Sequence, residues 1–254
     1  RLRRDGRLCR RAHGRRRWGL GVPVTMRTDT VQRVRVTFAI EWPLCYASVL
    51  DLGRLWERLL RRAELPLAYS QGFNPHPRLA FAAALPVGYT SECEMVDILL
   101  AEPVATEEMA RRIDGERPAG LSILSVDEVP LNATAPQSTM RQADYVVRLE
   151  GAFGAGEAEQ ALDALLARPH VMRERFRKGR VREYDLRALI HEAVCEEDGA
   201  GGALLRLRLA CGSQGAGRPE EVVDELGLAI ERQAIRRVRL LWDAASGDRE
   251  GDDR

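Results

Sequence analysis

Lysine is nearly absent from this chain. Lys178 is the only one, and every other residue of the 39 basic ones is arginine. Cysteine is sparse, with Cys9, Cys45, Cys93, Cys195 and Cys211 odd in number and widely spaced. No two of them stand at metal-ligand spacing, so neither a disulfide scaffold nor a three-cysteine iron–sulfur motif is available. A reducing, cytoplasmic setting is the expectation. No run approaches the roughly 18 consecutive apolar residues of a membrane helix, and the first residues lack the apolar core of a signal peptide. Two nucleotide motifs are missing as well: the phosphate-cradling P-loop and the dinucleotide fingerprint after a strand. No serine, histidine and acid suggest a triad. With a net charge of +1, the whole molecule has no basic bias that would demand a nucleic acid.

The chain does have 254 residues, 45% of them hydrophobic, enough for one large core or two small ones. Charge is uneven along it. Nine of the first seventeen residues are arginine, and the stretch from Ala244 to Arg254 is mostly acidic, glycine or small. Residues 1–30 read as a disordered basic arm or linker, with Met26 as a plausible start, and residues 244–254 as a disordered tail.

Between them the hydrophobic period switches repeatedly. "RVRVTFAIE" (Arg33–Glu41) alternates as a strand does. Leu52, Leu55, Trp56, Leu59, Leu60 and Ala63 follow helical spacing, with capping chemistry at Ser48 and Asp51 and a stop at Pro66. Arg78–Leu85 and Cys93–Glu102 read as strands, a short helix starts near Thr106, and Leu121–Pro130 closes the unit as a strand. This β-α-β-β-α-β order is that of a ferredoxin-like domain. Residues 131–142 read as a linker. The order then returns: a strand over Ala143–Glu150, a helix over Glu157–Ala167, a hairpin of Val171–Arg177 and Arg180–Tyr184, a strand over Ala203–Cys211, a helix from Arg218 to Leu228 and a last strand, Ala234–Trp242. The expected fold class is α+β: tandem ferredoxin-like domains over 31–130 and 143–243, with an added basic β-hairpin in the second.

Three stretches are candidates for chemistry. In "SQGFNPHPR" (Ser70–Arg78) the two prolines fix their own backbone, remove two amide donors and push Asn74 and His76 towards extended geometry. Gly72 permits a tight turn before this strut. Ser70, Gly72, Asn74, His76 and Arg78 are therefore presented with little entropy left to lose, which suits binding; a rigid lead-in to a strand is the plainer reading. His76 has no second ligand at metal spacing, so no metal or other cofactor is expected. In "RERFRKGRVREYDLR" (Arg173–Arg187), Arg175, Arg177, Lys178 and Arg180 lie on a two-stranded ribbon around a Lys178–Gly179 turn, with Asp185 and Arg187 at its base. A basic ribbon with interleaved Phe176 and Tyr184 suits RNA or phosphate; a solvated hairpin with internal ion pairs is the alternative. Asp51 is either a helix cap or a catalytic carboxylate. Arg54, Arg58, Arg61 and Arg62 lie off the apolar stripe, as a solvated or weakly anion-binding face.

The stretches "LDLGRLWERLLRRAELPLAYSQGFNPHPRLAFAAALPVGYTSECEMVDILL", "FRKGRVREYDLRALI" and "GSQGAGRPEEVVDELG" resemble a bacterial family of radical-SAM-linked proteins. The likeness runs roughly from Val31 to Trp242, and "GFNPHP" and the "KG…D-R-L-I" pattern of Lys178–Ile190 are its distinctive pieces. Its members are encoded beside, or fused to, a radical S-adenosylmethionine protein. Ser70, Gly72, Asn74, Pro75, His76, Pro77, Lys178, Asp185 and Arg187 match the family pattern. Ser48-Val49-Leu50-Asp51 departs from it, because Val49 stands where the family carries a histidine. The resemblance implies a radical S-adenosylmethionine protein as partner. It supports an accessory protein that binds substrate, with RNA or a ribosome-linked component expected and no membrane. A stand-alone RNA-modifying or RNA-cleaving enzyme using Asp51 or His76 is a second reading, and a protein-interaction module a third.

Overall fold

In a computed structural model of the chain, residues 29–242 are described, apart from 178, 200, 213 and 214. The basic arm (but for residues 29 and 30), the acidic tail and Lys178 thus lie outside the described residues.

Alternation builds the strands. In β1 (Gln32–Ile40), Val34, Val36 and Phe38 are buried on one face. The helix expected after it is α1 (Val49–Arg62). Ser48 caps it: the Ser48 hydroxyl oxygen accepts from the Asp51 amide at 3.2 Å, satisfying one of the amides a helix start leaves unpaired. Its apolar stripe places Trp56 against Phe38, ring centroids 4.9 Å apart, and both are fully buried. Burying a large side chain of this kind stabilises by about 1.5–3 kcal/mol, so the stripe fixes which face of the helix looks outward. Next come β2 (Leu79–Phe81), β3 (Thr90–Leu100), α2 (Thr106–Glu116) and β4 (Leu121–Val129).

The second half starts earlier than its sequence suggests. The stretch 131–142, read as a linker, holds the one-turn helix α3 (Pro136–Thr139) and the first residues of β5 (Met140–Gly151). Arg33 explains why the segment is ordered, since its guanidinium donates to the carbonyls of Ala133 and Thr134. Then follow α4 (Ala155–Ala167), the hairpin β6 (Met172–Arg177) and β7 (Arg180–Asp185), β8 (Ile190–Glu197), β9 (Ala203–Ala210), α5 (Pro219–Glu225) and β10 (Ile230–Trp242). The strand β8 was not expected. Its residues "HEAVCEE" are mostly polar because it lies at the end of the sheet path, paired on β9, with much of its length exposed. The β2 strand is shorter than the alanine-rich run suggested.

The result is a mixed α+β architecture with a mostly antiparallel sheet. Neighbouring strands run β4-β1-β3-β10-β5-β9-β8, with β2 also paired on β3, while β6 and β7 form a separate two-stranded sheet. Taken by halves, the order is β4-β1-β3-β2 and then β10-β5-β9-β8. The halves join where β10 lies parallel to β3, through Arg236↔Thr90 and Arg237↔Ser91. No helix among the described residues is long and apolar enough to cross a membrane.

Candidate functional site

The loop Ser70–Pro77 is closed at its base by backbone. The Ser70 amide donates to the His76 carbonyl at 2.9 Å, the His76 amide donates to the Ser70 hydroxyl at 3.1 Å, and Arg78 donates its amide to the Ala68 carbonyl at 2.9 Å. A bridge pairs Tyr69 with Pro77. The backbone turns at Gly72, whose φ of +139° favours glycine. Pro77 is buried, and the loop beyond it projects: Gln71, Gly72, Phe73, Asn74 and His76 are all exposed. Phe73 stands free at the tip, as exposed as an aromatic side chain can be. Asn74 and His76, which the prolines single out, flank this loop tip, whereas Phe73 follows from no backbone restraint. An aromatic residue just after the loop glycine was the available signal.

The loop leans on α1. The His76 imidazole Nδ1 lies 3.6 Å from the Glu57 carboxylate, and Glu57 is also 3.6 Å from the Arg61 guanidinium. Arg78 donates to the Thr30 hydroxyl at 2.8 Å. Helical geometry sets Arg54, Arg58, Arg61 and Arg62 side by side on the outward face of α1, opposite the buried Trp56 stripe. Asp51 begins that face. Its carboxylate accepts from the Ser48 hydroxyl at 2.7 Å and pairs with Arg54 at 3.4 Å, in the first turn of the helix that Ser48 caps. Asp51 and His76, the two candidate catalytic groups, make no contact with each other: one is held by Ser48 and Arg54, the other by Glu57.

The ribbon is arranged differently from what its sequence suggests. Directly paired residues share a face, which puts Arg173, Arg175, Arg180, Arg182 and Tyr184 on one side of the hairpin. Arg175 is committed to α5. It donates to both oxygens of Glu221, at 2.6 and 2.8 Å, and to the Ala216 carbonyl, and lies 4.6 Å over the Tyr184 ring. Arg173 reaches Asp224 at 3.1 Å and Glu225 at 3.0 Å. Arg175, expected to meet phosphate or to pair within the hairpin, is engaged by a carboxylate forty-six residues on, invisible to local pattern. These acids hold both guanidinium groups charged against the cost of partial burial. Arg180 and Arg182 remain exposed. Gly179 turns the hairpin at φ +76°, as the sequence anticipated. Lys178 lies outside the described residues.

Asp185 and Arg187 build the base of the hairpin. The Asp185 carboxylate accepts from the His170 ring at 2.8 Å, from the Val171 amide at 2.9 Å and from the Arg187 amide at 3.0 Å. These bonds, the one to His170 foremost, hold its carboxyl below the ordinary range. Arg187 donates to the carbonyls of Leu166 and Ile190, tying β7 to the end of α4. Both side chains are thus engaged with backbone. Among the described residues no group of three histidine, cysteine, aspartate or glutamate side chains could hold a metal. Burial, and then Glu94, push the Cys93 thiol up to about 12, which leaves it a poor nucleophile.

No curated protein matches the sequence. Among solved structures, a chain of the crystal structure titled a Cbf5-Nop10-Gar1 complex aligns with a TM-score of 0.41 at 10% identity. The alignment covers 80% of this chain and 48% of that one, so the present chain spans about half its length. A likeness at that level carries neither fold nor function. A family model does match, over residues 33–219. That span holds the Ser70–Arg78 loop, the arginine face of α1 and the whole β6–β7 hairpin, and the chain belongs to the family described as an uncharacterized protein conserved in bacteria, DUF2344.

Proposed function

We propose that this protein is an accessory subunit that binds single-stranded RNA and presents it to a radical S-adenosylmethionine enzyme. The carrying observation is Phe73, fully exposed at the tip of a backbone-braced loop that rests, through His76, on Glu57 of α1, with Arg61 next to it on that helix. An exposed aromatic ring is a stacking platform for a base, and neighbouring guanidinium groups neutralise phosphates; together they are the parts of a single-strand site. Leaving a phenylalanine in water costs stability unless something covers it, and Pro75 and Pro77 restrain the loop in advance of any ligand. Arg180 and Arg182 on the hairpin add a second, outlying cationic contact.

The strand order is consistent with this reading. Each half follows the fourth-first-third-second sequence of a ferredoxin-like sheet, and we take the molecule as two such units in tandem, a plan that offers open sheet and loop surfaces for strands. The enzyme partner is inferred from the resemblance of "GFNPHP" and its flanking stretches. The five cysteines offer no three-cysteine motif for the cluster such an enzyme needs, so the chain would act beside it.

Fluorescence anisotropy with a labelled single-stranded oligoribonucleotide tests the proposal. Phe73→Ala is expected to weaken binding by about 1–3 kcal/mol, the measured worth of a base–aromatic stack, roughly five- to more than a hundredfold, with the melting temperature unchanged. Wild-type protein that fails to bind the strand, or a Phe73→Ala variant that binds equally well, refutes it.

A further inference from the structure

On the flank of α1 away from the loop lies a groove of about 370 Å³. Ala47, Leu55, Leu59 and Pro118 give it an apolar floor, and Arg54, Arg58 and Arg62 form its wall, with Asp51 at one end. That volume is within the range of small-molecule sites, roughly 300–1,000 Å³, and an apolar floor with a few converging polar groups is their usual make-up. Four residues of helix rise about 6 Å, so the three guanidinium groups are spaced along one line as a short row. Arg54 leans on Asp51 at 3.4 Å, and Arg62 is held by Glu116, through its carboxylate at 3.2 Å and its carbonyl at 2.5 Å. Arg58, between them, has no hydrogen-bond or ion-pair partner among the described residues. It is the surplus charge: three cations face the two carboxylates of Asp51 and Glu116.

We infer that this groove binds a nucleotide phosphate, with the phosphates on Arg58 and its neighbours and the ring system over Leu55 and Pro118. Guanidinium groups bind phosphate through paired N–H donors, which gives the row both charge and geometry. Asp51 and Glu116 do not oppose this, because each already orients one arginine, leaving donors on both free to turn inwards. A free nucleotide and the phosphorylated end of a strand share this chemistry. The inference goes beyond the RNA reading, since a free nucleotide would bind whether or not the loop stacks a base.

The test uses the full chain and three probes: a fluorescent nucleoside diphosphate, unlabelled pyrophosphate as competitor, and a short oligoribonucleotide with and without a 5′-phosphate. Wild type should bind the nucleotide saturably and release it to pyrophosphate. Arg58→Ala should weaken that binding about tenfold or more, while Arg232→Ala, an exposed arginine on β10 paired with Glu150, should not. Preference for the phosphorylated strand that disappears in Arg58→Ala assigns the groove to a strand end. Equal binding of the two strands beside tight nucleotide binding assigns it to a free nucleotide. Phe73→Ala separates this inference from the RNA reading, for it should leave nucleotide binding intact. Absence of saturable binding by both the nucleotide and the phosphorylated strand, or an Arg58→Ala variant equal to wild type with a normal melting temperature, overturns the assignment.

Discussion

Asp97 is fully buried on β3, with Arg33 and Arg35 of β1 on its two oxygens at 2.5–2.9 Å. One carboxylate thus answers two guanidinium groups across a strand pair, and Arg33 carries the link on to the Ala133 carbonyl. Removing one partner of such a group leaves buried charge uncompensated, which costs about 3–5 kcal/mol. Asp97→Ala is therefore expected to lower stability by that amount in urea unfolding, and to loosen residues 131–139 as measured by hydrogen exchange. A loss under about 1 kcal/mol would mean the arginines find water instead. The same contrast between paired and spare arginines runs through the chain. Arg33, Arg35, Arg173, Arg175 and Arg187 hold structure, whereas Arg58, Arg180 and Arg182 face solvent. Composition alone does not separate the two sets, because both read simply as arginine in a polar run.

Elements whose period and caps agree were legible. The Ser48 cap and the Trp56 stripe located α1 to within a few residues, because local chemistry and burial point the same way there. The proline strut was legible too, since proline acts on its own backbone. What escaped was decided by distant partners. β8 carries too few apolar residues to alternate visibly, and it exists because β9 pairs with it. The hairpin β6–β7 was legible, yet the partner of Arg175 was not, as Arg175 meets Glu221 only once α5 has docked. That docking is open to a double-mutant cycle. Arg175→Ala and Glu221→Ala each remove the pair, and contacting residues of this kind couple by about 0.5–3 kcal/mol. The expected coupling is stabilising and the expected consequence is a hairpin more readily cut by trypsin at Arg180 and Arg182, with the rest of the sheet intact. A coupling of zero would mean that packing of Tyr184 and Val171, not the ion pair, seats the ribbon.

Across the whole molecule, the two halves share one sheet through a short seam. β10 and β3 pair over Arg236↔Thr90 and Arg237↔Ser91, and the Arg237 side chain is buried there. Its guanidinium donates to the Glu94 carboxylate at 2.9 Å and to the Ala84 carbonyl at 2.9 Å, with the Tyr145 ring 5.5 Å away. The Ser91 hydroxyl donates to the same Glu94 oxygen at 2.7 Å, and Tyr89, whose ring meets Tyr145 edge-on, donates to Glu220. Strand β3 of the first half, β5 and β10 of the second and helix α5 thus meet around one buried charge pair. Arg237→Ala strands Glu94 without a counter-ion, at a cost of about 3–5 kcal/mol, and the cost falls on the junction before it falls on either core. Calorimetry should show the wild type unfolding in one transition. The variant should split into two, with the half containing Trp56 and Phe38 melting apart from the half containing Tyr145. Replacing the pair together, Arg237→Met with Glu94→Leu, removes the stranded charge and should restore a single transition, because the seam then closes by packing. If the single variant still melts in one step at a lower temperature, the seam's few strand bonds and its tyrosine contacts suffice to couple the halves without the charge pair.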